Sequence, residues 1–184
     1  MRIAPEFLER LLTSDNPIEA IHQLDSFWCA RPGRSASQAC FGLSGTEFVV
    51  HLYLLYLAEV GNGGHCQLFL NQAGDHAPAM LEALARLGLL ELRSILLEAC
   101  AVFPGGAVPP DATSRENVIV GFSEQALSRW SMLDKRLYSV DGASWAKVLA
   151  YVRDHRDDVL VLETSQRAAE HLSGPHLSSS DTSG

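Results

Sequence analysis

Apolar and polar positions alternate at helical spacing along nearly the whole chain. Phe7, Leu8, Leu11 and Leu12 share one face of a short first helix, with Pro5 suited to its first turn. A second helix starts at Pro17 behind Asp15 or Asn16 as cap and is predicted to bury a stripe of Ile18, Ile21, Leu24 and Trp28. Arg31 to Gln38 reads as a loop. Ser44 with Glu47 three residues later forms a capping box, which opens a central helix running to about Val60. That helix is apolar nearly all round, so other helices must cover it on several sides.

Asn62-Gly63-Gly64 follows, where the glycines admit backbone angles that side chains forbid and a sharp turn is predicted. Gln67 to Asn71 suits a short helical turn. Asp75 can then cap a helix with Ala77, Met80, Leu81, Leu84 and Leu87 inside, with Glu82 and Arg86 paired outside and Gly88 closing it. The next helix turns Leu92, Leu96, Cys100 and Phe103 inward, making a helical hairpin before the breaker run 104–110. Ser114–Trp130 and Leu133–Tyr138 read as helical, although Val118–Gly121 also suits a strand. Ser144–Arg156 closes the series with Trp145, Leu149 and Val152 in register, and serine, threonine, glycine and proline dominate from Ser165 onward. The expectation is all-α: a single compact multi-helix domain around a buried central helix over 1–164, with a disordered tail over 165–184.

Composition supports a globular reading, with 47% apolar and 20% charged residues among 184. A domain of this size buries roughly 70% of the surface of its unfolded chain, so it needs no disulfides or metal to fold. Glu47, His51 and Glu59 interrupt the greasiest segment before it reaches the roughly 18 apolar residues of a membrane span, and no membrane partner is expected. Glu6, Glu9 and Arg10 stand where a signal peptide needs an apolar core, which predicts a cytoplasmic protein. Cys29, Cys40, Cys66 and Cys100 form no CxxC pair and read as reduced thiols. The net charge is −8, and no lysine or arginine occurs between Ser35 and Ala85. Such a surface repels nucleic acid and favours a basic partner, or serves solubility alone.

Signals of catalysis are missing. Glu47 and His51 lie four apart on one helix, Glu59 continues their stripe, and His65 and His76 flank the turn, but no short motif guarantees the three or four converging ligands of a metal. The pair reads as hydrogen-bonded relief of polarity on a buried helix. Gly121-Phe122-Ser123-Glu124-Gln125 lacks the second glycine of GxSxG, and Gly61, Gly63 and Gly64 lack the lysine and hydroxyl of a phosphate loop. No catalytic residue, metal or cofactor is assigned.

The turn itself admits two readings. Asn62, Gln67 and Asn71 could line a pocket with Glu59 for a small polar ligand. Alternatively, the amides satisfy groups freed by the turn, and Phe69 anchors the core.

The stretch EVGNGGHCQLFLNQAG, the helical pair LEALARLGLLELRSILLEA, the proline-rich loop, Arg115, LDKRLY and SWAKVLAYVRDH together resemble the DNA-mimic protein family of bacteria. The likeness covers about 44–155. The matching motif positions are Glu59, Asn62, Gly63, Gly64, Gln67, Phe69 and Asn71, whereas His65 and Leu68 depart from the family's usual aromatics. The resemblance implies a mainly helical, non-enzymatic acidic protein that occupies the DNA-binding surface of a transcription regulator, and it allows a homodimer. Because the motif holds one carboxylate, mimicry would reside in acids outside it. Glu82, Glu91 and Glu98 on the hairpin, and Asp154, Asp157 and Asp158 near the end, are the candidates, interspersed with Arg86, Arg93, Arg153 and Arg156. The competing expectation is a small-molecule-binding or enzymatic helical domain with its pocket at the turn.

Overall fold

The structure is a computed structural model that describes residues 3–30, 43 and 45–159. The Arg31–Gln38 loop, the Ser44 cap, Cys40 and the tail predicted from Ser165 lie outside the described residues. Eight α-helices occur among them, and no strand: α1 Pro5–Leu12, α2 Pro17–Cys29, α3 Gly45–Leu70, α4 Ala77–Arg86, α5 Leu90–Cys100, α6 Ala112–Ile119, α7 Glu124–Val140 and α8 Ser144–Asp154. Short 3-10 turns at Gln72–His76, Pro104–Gly106 and Asp141–Ala143 join some of them.

The predicted all-α architecture around a buried central helix is present. Val49, Val50, Leu52, Tyr53, Leu54, Tyr56 and Val60 of α3 are all buried, over more than half of the helix circumference, because α2, α4, α6, α7 and the Gln72–His76 turn pack around it. Burying those large side chains supplies the main hydrophobic stabilisation of the fold. A second group, α1, α2 and α8, packs mutually and meets α3 through α2 and through Tyr53, whose hydroxyl lies 2.6 Å from Ser144 Oγ at the start of α8. No helix of the described residues is long and apolar enough to cross a membrane.

Asn16 resolves the two cap candidates of α2, since its side-chain oxygen accepts the Glu19 N–H at 3.2 Å. Ile18 departs from its predicted stripe and is 47% exposed. At roughly 100° per residue it stands about a quarter-turn from the face that buries Ala20, Ile21, Leu24 and Trp28. Asp75 does not cap α4, because Arg115 holds its carboxylate, and the N-cap position is His76 without a side-chain cap bond. Arg86 donates to Tyr151 Oη at 2.8 Å across to α8, where Glu82 was the expected partner. Val118–Gly121 is a helix end and turn, with Gly121 N–H bonded to the Val118 carbonyl at 3.1 Å, and α7 runs unbroken through the region read as two pieces.

Candidate functional site

The central helix extends ten residues beyond its predicted end, but it does so across a kink at Gly63 and Gly64. Gly64 has φ +73° and ψ −174°, a region essentially closed to residues with a Cβ. A Cβ there would stand 2.3 Å from the Asp134 carboxylate of α7. The glycine therefore serves two ends at once: it permits the kink, and it lets a carboxylate close over the backbone.

Asp134 Oδ1 accepts the His65 backbone N–H at 3.0 Å and pairs with His65 Nδ1 at 2.5 Å. On the far side of the ring, His65 Nε2 meets Tyr56 Oη at 3.0 Å. Burial, followed by the nearby Cys100 and Asp134 groups, raises the Tyr56 pKa well above the ordinary phenol value, so Tyr56 stays protonated. An ionised Asp134 can only accept, which places a proton on His65 Nδ1. The Asp–His–hydroxyl order resembles a proton relay, yet Tyr56 and His65 are fully buried and the hydroxyl is shifted away from ionisation. The arrangement is a structural tie between α3 and α7. Tyr138 of α7 adds a second tie by donating to the Val60 carbonyl at 2.9 Å, one turn before Gly64.

Downstream of the kink, the amides turn toward Glu59. Asn71 Nδ2 donates to Glu59 Oε2 at 2.8 Å and Gln67 Nε2 approaches the same oxygen at 3.5 Å. The Gln67 carboxamide folds over Gly63, where a Cβ would meet its oxygen at 2.4 Å. Asn62 is exposed and does not join them. Phe69 is fully buried, stacked on Trp130 at 5.2 Å between centroids and edge-on to Phe103 at 5.0 Å.

Arg115 of α6 closes the same end of α3. Fully buried, it donates to the carbonyls of Phe69 at 2.7 Å, Asn71 at 2.8 Å and Pro109 at 3.1 Å, and pairs with Asp75 at 2.6 Å. Its planar fork suits several acceptors at once, which lysine could not match. Gly74 makes room for it, since a Cβ there would lie 2.9 Å from Arg115 Nε. The sequence reading left Asp134, Tyr138 and Arg115 without roles, although each lies in a stretch that carried the family resemblance.

The six acidic candidates separate. Glu91 and Glu98 share one cation, Arg136 of α7, at 2.8 and 2.7 Å. The hydrogen bond from Arg136 holds the Glu98 carboxyl below the usual carboxylate range. Asp157 lies 3.7 Å from Arg156, which also reaches Glu9 at 3.3 Å, and Asp158 accepts from Thr46 at 3.4 Å. Glu82 and Asp154 are exposed with no ion-pair partner among the described residues. Exposed acids beyond the six include Glu6, Asp15 and Glu19 on and around α1 and α2, where Arg10 is the one arginine or lysine of 5–29. His51 turns its Nδ1 to Asp25 of α2 at 2.7 Å, reaching across to a neighbouring helix. A groove of about 350 Å³, separate from the kink, opens between the start of α5 and the junction of α7 with α8, over Leu90, Leu92 and Val140 with Lys147 on its wall.

Residues 42–155 match the family of DMP19-like proteins. The chain belongs to the DMP19-like family. No curated protein and no solved structure is a match. The matched span begins just before α3 and ends with α8, so the DMP19-like part contains the kink, its clamps on α6 and α7 and the hairpin, while α1 and α2 lie outside it.

Proposed function

We propose that this DMP19-like protein is an acidic interaction protein that competes with DNA for the basic surface of a DNA-binding regulator, without chemistry of its own. Family membership carries the reading, and the net charge of −8 agrees with it. Duplex DNA presents one negative charge per roughly 1.7 Å of axis, so carboxylates neutralised by neighbouring arginines are poor substitutes for phosphates. Glu82 and Asp154 therefore suit the role better than Glu91 and Glu98, whose charges Arg136 offsets. The acids of α1 and α2 extend the negative surface beyond the family-matched span. The ligand-pocket reading gains little support at the kink, since Gln67 and Asn71 are turned to Glu59 and a carboxylate covers Gly64.

The test is to capture binding proteins from the source cell on the immobilised chain and elute them with a salt gradient. A DNA-binding protein released by moderate salt, and displaced from labelled duplex DNA by the free chain, is the expected result. Glu82→Lys with Asp154→Lys should weaken that competition at least tenfold. Capture of partners that bind no DNA, or competition indifferent to salt and to both substitutions, would overturn the reading.

A further inference from the structure

Outside the kink, three side chains of different chemistry converge between α2 and α3. Asp25 and Cys29 stand four residues apart on α2, which places them on one helical face, and His51 of α3 faces them. Asp25 Oδ1 lies 2.7 Å from His51 Nδ1, Cys29 Sγ lies 3.5 Å from the same nitrogen, and Sγ and Oδ1 are 3.7 Å apart. The three donors form a small triangle in a half-buried position.

A Cys–His–Asp set invites a nucleophilic reading, but the geometry opposes it. A relay needs the thiol and the carboxylate on opposite nitrogens of the imidazole, so that one orients the ring while the other receives the proton. Here both crowd Nδ1. Convergence on one side of the ring is what a shared cation requires. Around a tetrahedral zinc ion with bonds of roughly 2.0 Å to oxygen and nitrogen and 2.3 Å to sulfur, donors stand about 3.5 Å apart along the edges to sulfur and about 3.3 Å along the nitrogen–oxygen edge. The two observed sulfur edges already have nearly that length. Only the nitrogen–oxygen edge must open, by about 0.6 Å, from a hydrogen bond to a ligand separation. The Asp25 and His51 side chains are 21% and 12% exposed, which gives solvent and an ion access to them.

We propose that Asp25, Cys29 and His51 form a site for a divalent transition metal of the zinc class. Thiolate, imidazole and carboxylate together are a borderline-soft donor set, matched to zinc or cobalt and poorly matched to magnesium or calcium. The ion would displace the proton between Asp25 and His51 and the thiol proton of Cys29, so that binding weakens as the pH falls. It would pin α2 to α3. Asp25 and Cys29 lie outside residues 42–155, so the site belongs to this chain's own N-terminal helices joined to the family span.

Titration of the chelator-treated full chain with cobalt tests the site. One equivalent should bind, giving a thiolate-to-cobalt charge-transfer band in the near ultraviolet and visible absorption of tetrahedral strength, both abolished by added zinc. Cys29→Ser should remove the charge-transfer band, whereas Cys66→Ser should keep it. Asp25→Asn and His51→Gln should each weaken zinc binding at least tenfold in competition with a chromophoric chelator, while helical circular dichroism stays unchanged. Absence of saturable cobalt binding, a band that survives Cys29→Ser, or zinc affinity indifferent to both Asp25→Asn and His51→Gln in folded protein would overturn the proposal.

Discussion

Two histidine–aspartate pairs tie α3 to its neighbours, and they are built oppositely. His65 is fully buried, with its nitrogens engaged in line by Asp134 on one side and Tyr56 on the other. His51 is partly open, and its Nδ1 faces a carboxylate and a thiol together. In the first pair the two ring nitrogens have separate partners and the ring is locked. In the second, donors crowd one point and leave an arrangement that an ion can complete. Hydrogen-bond distance alone therefore does not separate a structural histidine from a ligand, whereas the direction of approach does.

The largest expected effect breaks the locked side. Gly64→Ala forces a Cβ onto Asp134 and into a backbone region with φ +73°, which should cost about 4 kcal/mol, from backbone strain plus loss of the charged hydrogen bonds. Urea unfolding would read this as a lower midpoint, with zinc affinity at His51 unaltered.

Next comes an alkaline effect on the same side. Burial raises the Cys100 thiol from 9.0 to about 11. Because the folded pKa exceeds the unfolded one, the contribution is fully present below pH 9 and is lost as the pH rises toward 11, amounting to about 2–3 kcal/mol. Tyr56 acts with the same sign above pH 10. Stability measured at pH 8, 9.5 and 11 should fall progressively, and Cys100→Ala should flatten the curve below pH 10.

A matched pair of substitutions sharpens the contrast. Asp134→Asn should destabilise the fold by about 2 kcal/mol, since it weakens a buried charge-assisted pair and the hold on the His65 N–H. Asp25→Asn should cost less than about 1 kcal/mol in the metal-free protein, because the pair is partly solvated. Equal losses in thermal unfolding would erase the distinction. The smallest effect belongs to the surface: Arg136→Gln should change stability by less than about 1 kcal/mol, yet increase competition with DNA by releasing Glu91 and Glu98.

Much of this fold was legible in the sequence because helical burial is written locally. Leu8, Leu11, Leu24, Met80, Leu84, Leu96 and Val152 recur at helical spacing and are all buried. Errors arose where a contact distant in sequence overrode a local preference. Asp75 is a good cap by type, but Arg115, forty residues on, offers it a charge-assisted bond. Arg86 is well spaced from Glu82, but Tyr151 of α8 takes its guanidinium.

The candidate site was visible in part. Two adjacent glycines announced the bend, and the amides near Glu59 could be named, but nothing local assigned Asp134 to Gly64 or Tyr138 to Val60. The acidic list was likewise blind to neutralisation, since Arg136 is separated from Glu91 by 45 positions.

The chain's own order of residues thus determined an all-helical protein, an apolar central helix with a glycine bend, and a negative net charge, because periodicity, backbone freedom and ionisation are properties of short segments. Tertiary structure decided which acids keep their charge, which histidine is locked, and where Asp25, Cys29 and His51 meet. Those outcomes depend on the distance and direction between side chains on different helices, which packing fixes and local pattern does not encode.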